Sequence, residues 1–456
     1  MLGRLSVFAG SFDLAAAEAV GRSETIDALE VAGLLGWLVD KSLVVAEPAG
    51  PALRYRLLET IRLFAAERRA GAGDDQASLA AAHCAHYLSV AETAAPHLTG
   101  PGQGSWHTRL DADQANLRRA AENAATRPDG TAQVLRFGVA LWRYWDPWSG
   151  NEEAAQLLIP ALQRPEAAAE PALFAEALVA ASFLITPADL PTGLQLAKEA
   201  AEAASELGDD RLLILSRVTL SLAYYSAGEP DRARPLGAEA VQRARQVGDD
   251  VLLGYSLGTY ALCTGAAASA QLYAEAFACT ERSGDLGTKG ALHTNAGLAA
   301  FEMGDIPGAR THLEAAIQIA EALGRPHPLE SGNLGDLLLA EHDLGGARST
   351  YEDVVRIARR TGDKNHLASA IDGLARLATD LKDWPRAAML HGAAQALHDT
   401  TGAPWEPPAA RRRQESLDQA GGALGGKQLQ RAYTDGMALS FDQAIDLALA
   451  GVPPAT

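Results

Sequence analysis

The sequence predicts an all-α protein: a superhelical solenoid of helical hairpins behind a small N-terminal module of two helices and a β-hairpin. Two observations carry that expectation. The first is compositional: of 456 residues 48% are hydrophobic but only 6% aromatic, and the apolar content is largely small, as in the string from Ala77 to Ala82. Closely approaching helices use such side chains, whereas sheets draw on β-branched and aromatic residues. The second is an internal repeat. Small residues within apolar helical stretches, Ser221, Gly258, Gly297, Gly335 and Ala375, are spaced by 37, 39, 38 and 40 residues. Twelve residues after each comes an alanine, at Ala233, Ala270, Ala309, Ala347 and Ala387, and 14 or 15 further on a glycine, at Gly248, Gly284, Gly324, Gly362 and Gly402. Ala181, Gly193 and Gly208 fit the same arithmetic as an earlier copy.

The repeat reads as stacked hairpins of antiparallel helices. A glycine inside a helix costs about 1 kcal/mol relative to alanine, so Gly297 and Gly335 make sense where two helices cross too closely for a larger side chain. The terminal glycines suit a left-handed position after a helix, and Asp209, Asp249, Asp285 or Asp363 directly after them can cap the next one. Gly228-Glu-Pro230, Gly304-Asp-Ile-Pro307 and Lys382-Asp-Trp-Pro385 read as turn, cap and first-turn proline. The array is expected over residues 171–402, with capping helices over 403–456.

Residues 1–72 follow another grammar. Helices are expected over Asp13 to Val20 and Thr25 to Asp40, then a strand at Leu43-Val-Val-Ala-Glu47, a Pro-Ala-Gly-Pro turn, and a strand at Leu53-Arg-Tyr-Arg-Leu57. Helix, helix, hairpin is the order of a winged helix. A further helix, Leu58 to Ala70, leads into a Gly71-Ala-Gly-Asp-Asp75 linker. Residues 73–170 are expected to form a helical bridge. In it Trp142, Tyr144, Trp145 and Trp148 crowd together, with Trp142 and Trp145 spaced to share one helical face in a core, a ligand or partner pocket being the alternative.

Gly304-Asp-Ile-Pro-Gly-Ala-Arg-Thr-His-Leu-Glu-Ala-Ala-Ile-Gln-Ile-Ala-Glu-Ala-Leu-Gly324 resembles the turn and second helix of a tetratricopeptide repeat (TPR), with Ala309 and Ala316 at the two small positions. The period of 36 to 40 is longer than the usual 34 and is similar to the longer-helix repeats of large bacterial regulators. Arg4-Leu-Ser-Val-Phe-Ala-Gly-Ser-Phe-Asp13, Leu38-Val-Asp-Lys-Ser-Leu-Val44 and Arg54-Tyr-Arg-Leu-Leu-Glu-Thr-Ile-Arg62 resemble the winged-helix segment of LuxR/AfsR-type STAND regulators. Trp106 to Leu117, Leu141-Trp-Arg-Tyr-Trp145, and the stretch from Arg386 through Gly436 to Asp446 are similar to later parts of that family. The resemblance implies an NB-ARC-type ATPase N-terminal to Leu2, with the chain starting after it. It also implies a structural or autoinhibitory role for the winged helix. TPR first helices line a concave groove, which places a partner or effector surface at Tyr255, Thr259, Thr294, Asn295, Asn333, Asp336, Asp372 and Arg376.

Charge and motifs exclude several function classes. With 57 Asp and Glu against 39 Lys and Arg, the formal net charge is −18, which repels phosphate backbones. Residues 1–75 alone carry 8 basic and 11 acidic side chains, a net of −3, and the candidate recognition helix bears Asp27, Glu30 and Asp40 against only Lys41. Direct nucleic-acid binding is therefore not expected. Arg411 to Arg413 reads as a solvated helix start. Three scattered cysteines fit a reducing compartment, and neither a signal peptide nor a membrane span is evident, so the expected location is cytoplasmic. The Walker-like string Gly421-Gly-Ala-Leu-Gly-Gly-Lys427 lacks a preceding strand and has Gln428 where Ser or Thr would meet magnesium. His83, Cys84 and His86 lack further metal ligands in the sequence pattern. No catalytic motif, metal site or cofactor is expected.

The functional expectation is the non-catalytic sensor or protein-interaction portion of a STAND-type transcriptional regulator. Its partner is a protein or peptide, with an NB-ARC ATPase segment or a small-molecule effector as further candidates. A free-standing TPR adaptor and a DNA-binding regulator acting through the winged helix are the alternatives.

Overall fold

The structure is a computed structural model that describes residues 1–23, 26–49, 52–71, 76–145 and 152–450. Twenty-three α-helices and one two-stranded sheet are present among the described residues. The chain divides into two compact units. One comprises 1–98, 104–144 and 156–177, and the other 99–103, 145–155 and 178–456.

The first unit begins with the winged helix. Helices α1 (Leu2–Leu5), α2 (Leu14–Gly21) and α3 (Ala28–Asp40) precede strands β1 (Val45–Ala49) and β2 (Ala52–Arg56), then α4 (Glu59–Gly71). Asp13 caps α2 by accepting from Ala16 N at 2.8 Å, and Asp27 with Glu30 forms a capping box on α3. The antiparallel strands pair Val45 with Arg56 through Ala49 with Ala52, the first strand lying two residues later and the second one residue earlier than expected. The backbones of Phe12 and Tyr55 also exchange two 2.8 Å hydrogen bonds, so β2 is covered on its other edge. The Gly50-Pro51 half of the turn and the 72–75 part of the linker lie outside the described residues.

Helices α5 (Gln76–Ala94), α6 (Gln103–Ala125) and α7 (Thr131–Leu141) follow, then α8 (Glu152–Leu162). Phe8 and Phe12 stack at 4.0 Å, and His83 and Tyr87 of α5 close over Phe8 at 5.5 and 6.3 Å between ring centroids. Asn116 of α6 accepts from Ala9 N and donates to Ser11 O, both at 2.8 Å. The Trp142–Trp145 expectation is corrected: α7 ends at Leu141, so the two tryptophans share no helical face, and the residue buried there is Tyr144, whose hydroxyl bonds Asp111 at 2.7 Å. Trp148 lies outside the described residues.

After α9 (Pro171–Ile185) and α10 (Leu190–Leu207), the second unit stacks five hairpins. They are α11 (Asp210–Ser226) with α12 (Pro230–Val247), α13 (Asp250–Thr264) with α14 (Ala266–Ser283), α15 (Leu286–Glu302) with α16 (Ile306–Ala322), α17 (Pro328–Ala340) with α18 (Leu344–Thr361), and α19 (Lys364–Asp380) with α20 (Trp384–His398). Gly208, Gly248, Gly284 and Gly362 end helices at φ between 68° and 75°, and the aspartate after each caps the next helix. Three further helices, α21 (Pro407–Leu424), α22 (Gly426–Met437) and α23 (Phe441–Leu449), complete the unit. The Walker-like string is the end of α21, the Gly425 break and the start of α22.

The repeat arithmetic holds with one physical correction. Ala233, Ala309, Ala347 and Ala387 are fully buried, each as the fourth residue of its second helix. Ala270 is exposed, and Ser269 takes the buried place at 2% exposure. The turn before α14 is Gly265 alone, whereas the other turns have three residues, so a fixed count from Gly258 overshoots the fourth helical position by one. The small residues also serve two contacts. A Cβ on Gly297 or Gly335 would lie 3.0 Å from Leu313 or 2.6 Å from Tyr351 of its own hairpin, whereas one on Gly258 would lie 2.7 Å from Leu292 of the next. Ser221 uses its place differently, donating its buried hydroxyl to Ala233 O at 2.9 Å.

Candidate partner-binding surface and buried ion network

First helices of successive hairpins, α11 with α13, α13 with α15, α15 with α17 and α17 with α19, lie against one another, and the second helices are not paired in this way. The first helices therefore form the more closely packed side of the array. All eight residues expected to face a groove lie on them.

Their environments differ. Thr259 is buried and donates to Tyr255 O at 3.1 Å, and Thr294 is buried and donates to Gly290 O at 3.2 Å and Glu330 at 3.3 Å. Those hydroxyls are spent inside the array. Tyr255, half-buried, packs its ring 6.1 Å from Phe183. Asn295 and Asn333 are half-buried, and Asn333 Nδ2 is shielded from solvent with no hydrogen-bond partner among the described residues.

Asp336, Asp372 and Arg376 come together in one network. Asp336 Oδ1 accepts from Arg376 Nη2 at 2.5 Å and from the Tyr351 hydroxyl at 2.6 Å, and its Oδ2 accepts from Arg412 Nη2 at 2.9 Å. Asp372 receives Arg413 on Oδ1 and Arg376 Nε on Oδ2 at 3.3 Å. Arg413 also donates to His391 O at 2.6 Å and lies 5.0 Å over the Trp405 ring. Burial opposes the charged form of Asp336, yet Arg376 and Arg412 hold it below the usual carboxylate range. Burial likewise opposes ionised Asp372, but hydrogen bonding to His391 and the nearby guanidiniums keep it low. The His391 imidazole moves the other way: burial lowers it more than Asp372 raises it.

The sequence reading missed half of this network. Of Arg411 to Arg413 only Arg411 is exposed as expected, because Arg412 and Arg413 turn inward from α21 onto the two aspartates. The missed signal is periodicity: Arg413, Ser416 and Ala420 are the buried residues of α21, at helical spacings of 3 and 4.

His391 Nδ1 lies 3.0 Å from Asp372 and Nε2 lies 2.8 Å from Ser416 Oγ, the connectivity of a nucleophile, base and acid. Its surroundings oppose that chemistry. Ser416 is 4% exposed, His391 is fully buried, and the Ser416 hydroxyl is also 2.7 Å from Thr379 Oγ1. No substrate atom can reach it, and the arrangement ties α19, α20 and α21 together.

In the winged helix, α3 buries Val31, Leu35 and Leu38 and exposes Leu29, Glu30, Ala32, Gly33, Gly36, Trp37 and Asp40. An apolar and acidic outer face cannot pair with phosphate oxygens as a recognition helix does. His83 and Cys84 are buried in α5, and no group of three metal-ligating side chains occurs among the described residues. No helix among them is long and apolar enough to cross a membrane.

Comparison with known proteins agrees with these two architectures. Residues 1–70 match the winged helix-turn-helix domain family, and residues 213–247 match the tetratricopeptide repeat family. A Mycobacterium tuberculosis protein named as an HTH-type transcriptional regulator is 32% identical over 257 residues, covering 52% of this chain and 27% of that protein. The chain thus spans about a quarter of the length of that relative. An uncharacterised M. tuberculosis protein is 42% identical over 81 residues, 18% of this chain and 21% of its own. Among solved structures, a Rap protein complexed with Competence and Sporulation Factor has the same fold at a TM-score of 0.52 and 12% identity, covering 82% of this chain and 99% of that one. A STAND protein with a tetratricopeptide repeat sensor from Pyrococcus horikoshii aligns at a TM-score of 0.46 and 13% identity, over 98% of this chain and 63% of that one.

Proposed function

We propose that this chain is the non-catalytic, protein-interacting portion of a STAND-type transcriptional regulator, and that the inner side of its hairpin array binds a protein or peptide partner. The observation that carries the reading is the pattern of polar side chains along the first helices. Thr259 and Thr294 are satisfied internally, whereas Asn295 and Asn333 remain half-buried on α15 and α17, with Asn333 Nδ2 unpartnered among the described residues. Because Asn333 Nδ2 is shielded from solvent, a bound peptide would pair its main chain with the part-exposed remainder of the two asparagine side chains. The union of a winged helix-turn-helix domain with tetratricopeptide repeats, and the relatedness to mycobacterial regulators, support the regulatory setting. The Rap protein of the same fold was solved with a factor bound, which supports a ligand-binding use of this architecture.

In this reading the occupied array gates an NB-ARC ATPase segment of the larger regulator, in the cytoplasm, and a small-molecule effector would use the same polar positions. Asp336, Asp372 and Arg376 hold the end of the array in shape. The test is selection of peptides from a displayed library on the full chain. Binders should lose affinity at least tenfold on Asn295→Arg or Asn333→Arg and be indifferent to Gln242→Arg on a second helix. Binders indifferent to both asparagine variants would sink the assignment, and ATP hydrolysis by the purified chain would sink the non-catalytic reading.

A further inference from the structure

The third hairpin sets two histidines against each other. His293 of α15 and His312 of α16 are 19 residues apart in sequence, and the turn between the helices brings their Nδ1 atoms to 3.0 Å. Both side chains are half-buried. Phe277 of α14 packs against the two rings, with centroids 4.7 Å from His293 and 5.9 Å from His312.

We propose that His293 and His312 form a chelating site for a divalent transition ion of the copper(II) or nickel(II) kind, bound through the two Nδ1 atoms. Imidazole nitrogen is a ligand that such ions favour. With metal–nitrogen bonds of about 2.0 Å, nitrogens 3.0 Å apart subtend about 97°, nearer the right angle of a tetragonal ion than the roughly 109° of tetrahedral zinc. No third side-chain ligand stands ready among the described residues, so water keeps the other positions.

The exchange balances. In the metal-free pair one Nδ1 carries a proton and donates it to the other. Neither Nε2 is among the nitrogens closed off from solvent without a partner, so water can carry that proton to Nε2 of the same ring, leaving both Nδ1 lone pairs for the ion. Two of the ion's waters depart, two metal–nitrogen bonds form, and no proton is lost. The surroundings suit a cation. The charge of Asp305 reaches His312, while Glu281 and Lys289, both acting on His293, pair with each other at 2.6 Å and cancel. A bound ion ties α15 to α16, and this inference is independent of partner binding by the first helices.

Calorimetric titration of the untagged full chain with nickel(II) should give one ion per chain. Magnesium and calcium, which take oxygen ligands, should not compete. His293→Gln and His312→Gln should each lower the affinity at least tenfold with unchanged far-ultraviolet circular dichroism, whereas His97→Gln, which removes a single exposed histidine, should leave it unchanged. Electron paramagnetic resonance of the wild-type chain with one equivalent of copper(II) reads the site without any variant, and should show coupling to two imidazole rings. Coupling to one ring, affinity indifferent to either variant, or an equal loss in His97→Gln overturns the proposal and leaves adventitious surface binding only. Competition by magnesium also overturns it, since the ligands would then be carboxylates.

Discussion

Arg54, on the second strand of the wing, donates Nη2 to Asp113 Oδ1 of α6 at 2.6 Å, with side chains only 11% and 5% exposed. The same nitrogen reaches Ser11 O at 2.7 Å and Ala112 O at 2.9 Å. Together with the Asn116 bonds to Ala9 and Ser11, the pair fastens the wing and the Phe8–Phe12 turn to the helices that follow. Burial raises the Asp113 carboxyl above its usual range despite Arg54, so the pair contributes orientation more than net stability. Asp113→Ala should cost about 3 kcal/mol, because it leaves a buried guanidinium without its carboxylate. The double variant Arg54→Met/Asp113→Leu should recover more than half. Urea melts give the energies, and amide exchange in residues 45–56 reports detachment of the wing. Wild-type exchange in Asp113→Ala would refute the tether.

The repeat register predicts opposite outcomes for adjacent residues. Ser269→Leu should overpack the α13–α14 hairpin and cost about 1 to 3 kcal/mol, whereas Ala270→Leu, on the exposed side, should stay within about 0.5 kcal/mol of wild type. Gly297→Leu should resemble the former, since its Cβ would already lie 3.0 Å from Leu313. Asn295→Ala should resemble the latter. Thermal melts decide, and a stable Ser269→Leu variant would return the register to Ala270.

These positions show what the sequence made legible. Small residues and capping aspartates act locally and recur, so the hairpins and their ends could be placed from spacing, and the winged helix from the order of two helices and a β-hairpin. The errors arose where a neighbour changes the count or the partner. A single-residue turn at Gly265 moved the buried place to Ser269, and an early helix end at Leu141 removed the shared face of Trp142 and Trp145. Arg412 and Arg413 looked solvated because their partners, Asp336 and Asp372, lie 76 and 41 residues away in sequence. Spacing within one helix carries no information about such pairs. The residues that carry the family resemblance at the N-terminus, among them Phe8, Phe12 and Arg54, are those that pack the wing onto α5 and α6.

Two hairpin turns place a side chain in the left-handed region: His342 and Lys382, both at φ 62°. The equivalent turns use Gly228 and Gly304 at φ 73° and 79°. Both non-glycine residues are exposed, so their side chains offer little packing in return for the strain. Lys382→Gly and His342→Gly should each stabilise by about 0.5 to 1 kcal/mol, the left-handed penalty being partly offset by the greater freedom of glycine when unfolded. Gly304→Ala should destabilise by about 1 kcal/mol. Chemical denaturation of the three variants checks the set, and destabilisation by Lys382→Gly would show that the side chain contributes more than its strain.

The buried histidines fix the sign of the pH dependence. His83, enclosed by Phe8 and Tyr87, is lowered by burial from 6.5 to about 4, with Asn116 only partly opposing the shift. His391 is lowered for the same reason, and so is His293, to about 4. A group depressed on folding binds its proton first in the unfolded chain, so stability is full above about pH 6.5 and falls as pH drops through the interval between the two values. For His83 alone the loss should reach about 2 kcal/mol at pH 5 and about 3 kcal/mol at pH 4. The depressed carboxyls of Asp336 and Asp372 act below the unfolded carboxylate value near 4, extending the decline. His83→Phe should therefore reduce the fall of the denaturation midpoint between pH 7 and pH 5, the remaining fall coming from the histidines of the hairpin array. If the midpoint of wild type is level across that interval, His83 is not held neutral and the packing of α5 against the Phe8–Phe12 turn is looser than its burial implies.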